Sequence, residues 1–100
     1  MELFELEKLN DLWLPDTIVF FKIKKLNLKS LKTLSVSYEF LMYNKEDIQK
    51  LKDLDWLYPN FVYKSNDEYM SKHFKREQYL EALLPNVSIS GSTSVIDEGY

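Results

Sequence analysis

The chain has 100 residues, a net charge of −3, 45% hydrophobic residues and 29% charged residues. That is the make-up of one soluble globular domain. With no Cys, one His and two Gly, it excludes a disulfide framework, a thiolate metal site and a Gly-rich phosphate loop. Its chemical resource is aromatic surface, in seven Tyr, six Phe and two Trp.

The start, MELFELEKLNDLWLP, is acidic where a secretory leader is basic. Together with the missing Cys, this predicts a cytoplasmic protein. Leu3, Leu6, Leu9, Trp13 and Leu14 fall on one helical stripe that Pro15 would end. The alternation of Phe4 and Leu6 with Glu5 and Glu7 also fits a short strand, and helix is preferred.

Thr17 to Lys24, TIVFFKIK, has the β-branched and aromatic composition of a strand. Thr33 to Tyr43, TLSVSYEFLMY, alternates with period two, placing Leu34, Val36, Tyr38, Phe40 and Met42 on one face. The polar connector between the two segments is too short for a helical crossover, so an antiparallel hairpin is expected. Asn44 is placed to cap a helix carrying Glu46, Asp47, Ile48 and Leu51. Trp56 to Tyr63, WLYPNFVY, reads as extended, with a turn or an edge-strand kink at Pro59.

Ser65 and Glu68 have capping-box spacing for a long helix over about 66–84, which Pro85 ends. Tyr69, Met70, His73, Phe74, Leu80, Leu83 and Leu84 share one side of it. From Val87 onward, serines alternate with apolar residues in a last strand, with Gly91 as a bulge. Residues 97–100 are expected to form a loose tail. No internal repeat is read.

The expected fold is α+β, a single domain over 1–100. It has a mainly antiparallel sheet of three or four strands and two or three helices. The expected core holds Val36, Tyr38, Phe40, Ile48, Leu51, Phe74 and Leu80.

No catalytic constellation emerges. His73 and Glu77 are one helical turn apart, but His73 sits within the apolar stripe, which favours packing over acid–base work. The acidic pairs Glu46-Asp47, Asp53-Asp55 and Asp67-Glu68 sit at helix ends, where carboxylates have a structural role. The reading is therefore a non-enzyme with no metal and no cofactor. Lys22, Lys24, Lys25, Lys29 and Lys32 form a basic stretch, but a single Arg and a negative total charge argue against nucleic acid.

Aromatics mixed with carboxylates at Asp53, Asp55, Trp56, Tyr58, Asp67 and Tyr69 point to a surface for a basic protein partner. The rings would anchor and the acids would steer. The uncharged stretch Val87 to Ile96 offers a second route, adding to a partner's sheet or to a second copy. In general character the chain is similar to small bacterial immunity proteins and phage-encoded inhibitors, a likeness that rests on no motif. The expected function is neutralisation of a protein partner by occlusion. The alternatives are a phage or mobile-element assembly protein, and a nucleic-acid module using Lys22 to Lys32.

Overall fold

The structure, a computed structural model, describes residues 9–26 and 28–96. The Phe4–Leu6 alternation and the 97–100 tail lie outside them. Within them, β1 (Asp11–Trp13) is followed by a 3-10 turn (Ile23–Leu26), then β2 (Thr33–Ser37), α1 (Tyr38–Tyr43) and α2 (Lys45–Gln49). β3 (Trp56–Tyr63), α3 (Asn66–Leu83), β4 (Ser88–Ile89) and β5 (Ser92–Val95) complete the chain.

All strand pairs are parallel: β1 with β2, β2 with β3, and β3 with both β4 and β5. The expected mainly antiparallel sheet of three or four strands is thus replaced by five strands in parallel. The hairpin fails at its first half. Thr17 to Phe21 form turns and loop, and Ile23 opens the 3-10 turn, so Thr33–Ser37 pairs with strands on either side of it instead. The second expected strand also ends early. Phe40 and Leu41 are adjacent and both side chains join the one apolar core, whereas adjacent strand residues point to opposite faces of a sheet and a helix can turn both inward. Ser37 makes the switch, its Oγ accepting the Phe40 N–H at 3.1 Å to cap α1.

The frame behind this order is a repeat. Leu9-Leu12-Leu14, Leu31-Leu34-Val36 and Leu54-Leu57-Pro59 share one spacing, L-x-x-L-x-apolar. Leu12, Leu34 and Leu57 sit side by side in register, and Ile89 of β4 joins the row. A strand plus a helical return every roughly 20 to 30 residues is the pattern of a parallel solenoid. Consecutive strands are neighbours, so the returns lie on one face. There Phe40, Leu41, Ile48 and Leu80 pack on Leu34, Val36, Leu57, Phe61 and Tyr63. The described residues measure 50 × 29 × 18 Å. The thinnest dimension accommodates one sheet and one helical layer, which leaves the other sheet face open among the described residues.

Of the expected core, Val36, Phe40, Ile48 and Leu80 are buried, and Tyr38 and Leu51 pack against them half-buried. Phe74 is 67% exposed. Only one side of α3 meets the sheet, through Tyr69, His73, Leu80 and Leu83, and Phe74 lies outside that arc.

Asn44 has a different role from helix capping. It is buried between α1 and α2 and makes no side-chain cap. Its Oδ1 accepts the Ile23 N–H at 2.9 Å, and its Nδ2 donates to the carbonyls of Phe21 at 2.8 Å and Phe40 at 3.2 Å. It thereby pins the 3-10 turn to the helices.

Pro59 lies in the middle of a central strand, not at a turn. Odd residues of β3 face the last strand, as Leu57 shows by accepting the Ser90 N–H at 2.9 Å. In a parallel ladder Ser90 would next accept from residue 59, which as Pro has no N–H. The ladder is interrupted there. Leu57↔Ile89 and Asn60↔Ser92 nevertheless keep one register, so β4 and β5 are one run and Gly91 is no bulge. Gly91 is needed for space: a Cβ there would stand 2.7 Å from Cε2 of the buried Phe61.

No helix among the described residues is long and apolar enough to cross a membrane.

Candidate functional site

The open sheet face is built by alternation. β3 buries Leu57, Pro59, Phe61 and Tyr63 and turns Trp56, Tyr58, Asn60 and Val62 outward. The register then writes the face in rows. One row holds Asp11, Thr33, Trp56 and Ser88, and the next holds Trp13, Ser35 and Tyr58. Beyond them Ser37, Asn60 and Ser92 align, then Val62 and Ser94.

In the second row Ser35 is the small member between two large ones. Trp13 and Tyr58 lean over it and stack at 6.0 Å with 22° between their planes. Adjacent strands are about 4.8 Å apart, so only a small central side chain lets rings two strands apart meet. Ser35 is buried beneath them. Trp56 also stacks with Tyr58, at 6.4 Å and 8°. Trp13, Tyr58 and Trp56 thus form one aromatic ladder, in which Trp13 is 68% and Trp56 48% exposed.

Acids border the ladder. Asp11 shares the Trp56 row. Asp55 precedes β3, its N–H donating to the Lys32 carbonyl at 2.9 Å and its carbonyl accepting from Ser88 at 2.8 Å. Asp16 accepts from Asn60 Nδ2 at 3.2 Å, and Asn60 Oδ1 accepts from the Ser92 hydroxyl. No strand position of this face among the described residues carries Lys or Arg.

The six residues expected to form one interface are divided by the structure. Asp53, Asp55, Trp56 and Tyr58 gather at the start of β3. Asp67 lies beyond its far end in the first turn of α3, roughly 25 Å away along an eight-residue strand. Tyr69 is on the covered side, edge-on to Tyr63 at 5.5 Å and stacked on His73 at 4.8 Å. Trp13, Asp11 and Asp16 are the members that sequence reasoning missed. The L-x-x-L-x-apolar frame was the signal, because it places Trp13 between two inward leucines.

His73 is held on both nitrogens, by the Tyr63 hydroxyl at Nδ1, 2.8 Å, and Glu77 at Nε2, 3.1 Å. A neutral ring protonated at Nε2 donates to Glu77 and accepts from Tyr63. Its edge packs on Phe61 at 4.8 Å. The Arg76 guanidinium lies over the rings of Tyr38 at 4.7 Å and Tyr63 at 5.2 Å. Burial pushes both phenols up, and Arg76 opposes the shift. On α3, the Lys64 backbone N–H, and after it the Lys72 ammonium, hold the Glu68 carboxyl below its ordinary value. Among the described residues no group of three His, Asp or Glu could hold a metal ion. Of the basic stretch, Lys22 lies 4.1 Å over the Tyr43 ring, and Lys24 and Lys25 sit in the 3-10 turn Ile23–Leu26.

No protein-family model matches this chain, and neither do curated proteins or solved structures.

Proposed function

We propose that this chain is a small non-catalytic binding protein that neutralises a protein partner by occlusion in the cytoplasm, docking it on the open sheet face. What supports the reading is the Trp13–Tyr58–Trp56 ladder, which is exposed on a face whose strand positions carry acid and no base. Large flat rings contribute contact area at low entropy cost, and carboxylates at the border attract a partner with a basic surface. Ser88, Ser92 and Ser94 are small side chains along the last strand, so the large rings of this face are concentrated in the ladder.

Affinity capture with the wild-type protein identifies the partner, and binding rates then test the surface. Asp11→Lys and Asp55→Lys are expected to slow association and flatten its salt dependence, with dissociation near that of wild type. Association rates unchanged in both variants would move the interface off this face.

A further inference from the structure

The sheet has two edges of different character. At one, β1 is three residues long, begins with the exposed Asp11 and is followed closely by Pro15. A short strand with a charge and a nearby proline is a guarded edge. At the other, β4 and β5 run in a single register along the whole of β3. From Val87 to Ile96 this run has no charge and no proline, and all of β5 is exposed.

Its hydrogen-bonding groups can be assigned. The N–H groups of Ser88, Ser90 and Ile96 donate inward to Asp55, Leu57 and Tyr63 of the β3 side. With a period of two, the N–H and C=O of Ile89, Gly91, Thr93 and Val95 point outward. No other described strand pairs with them. The outer side is a ready template for another strand, and among the described residues none of the usual protections is present.

We infer that this edge is a self-pairing surface, at which two copies of the chain join antiparallel across Thr93 into one continuous sheet. A second copy is the occupant that fits by construction. Both sides then present the same uncharged edge, as a closed two-fold interface requires. Pairing across Thr93 sets Gly91 against the other copy's Val95 and keeps like charges apart between Val87 and Ile96. Joining this edge to the guarded β1 edge would offer only three residues and would propagate an open filament instead of closing. The two-fold axis stands perpendicular to the sheet, so the open faces of both copies lie on the same side.

The test is sedimentation velocity on the full chain over a concentration series. Wild type is expected to dimerise reversibly. Thr93→Lys and Thr93→Glu each place like charges directly across the axis, and each alone is expected to weaken the dimer at least about tenfold. Their equimolar mixture sets Lys against Glu and recovers the dimer. Thr93 is exposed, and matching circular dichroism melts confirm that both variants remain folded. Three results would overturn the inference: wild type monomeric into the millimolar range, a dimer indifferent to both charges, or a mixture that stays monomeric. The readout is oligomeric state, so it stands apart from partner docking on the open face.

Discussion

Phe40→Ala is expected to destabilise the protein by about 3–5 kcal/mol, the range for emptying a buried aromatic site. Phe40 is fully buried, and α1 holds it against the sheet next to Val36 and Phe61. Its N–H is bonded to Ser37 and its carbonyl accepts from Asn44, so the backbone around it has little freedom to collapse into the space. Phe74→Ala supplies the contrast. Phe74 is 67% exposed on the outer arc of α3, and its truncation is expected to stay within about 0.5 kcal/mol, an ordinary surface change. Denaturant melts of the two variants decide the matter. A loss at Phe74 that matched the loss at Phe40 would mean that α3 packs by another face.

Tyr58→Ala is expected to cost about 2 kcal/mol of partner affinity, roughly a thirtyfold faster dissociation. Tyr58 is the ring shared by the ladder, stacked with both Trp13 and Trp56. Its removal takes away one contact and the support of two more. Asp55→Lys acts on encounter instead, so the two substitutions should separate into dissociation and association. Kinetics on folded variants check this, and a Tyr58→Ala protein that dissociates at the wild-type rate would remove the ladder from the interface.

Much of α3 was legible because its signals are local. Ser65 Oγ accepts the Glu68 N–H at 3.2 Å, and the helix runs Asn66–Leu83 against an expected 66–84. Its packed arc was less legible. A helix laid on one side of a two-layer slab buries few residues, and hydrophobic character at Met70 and Phe74 does not say which arc is covered. The parallel sheet was hidden for another reason. In Thr33 to Tyr43 an alternating strand runs directly into a helix whose first residues keep the alternation, so only the burial of both Phe40 and Leu41 marks the change. Thr17 to Lys24 has strand composition, but Ile23 is held by Asn44 from across the fold, an override invisible to propensity. Pro59 was read as a breaker because the direction of its missing N–H depends on which strand lies beside it. Trp56 and Tyr58 were legible as surface candidates. Trp13 was not, because a helical stripe and a solenoid strand both accept Leu9, Trp13 and Leu14.

The placement of the tryptophans has an optical consequence. The chain has two, Trp13 and Trp56, and both stand partly in water beside Tyr58 on the open face. Indole emission of the native protein is therefore expected to be close to that of a solvated ring, with a smaller change on global unfolding than a buried indole would give. Occupation of the face removes water from both indoles at once, shifting the emission to the blue and shielding it from a collisional quencher. Light emitted by this protein is thus a gauge of whether the face is covered and a poor gauge of whether the chain is folded.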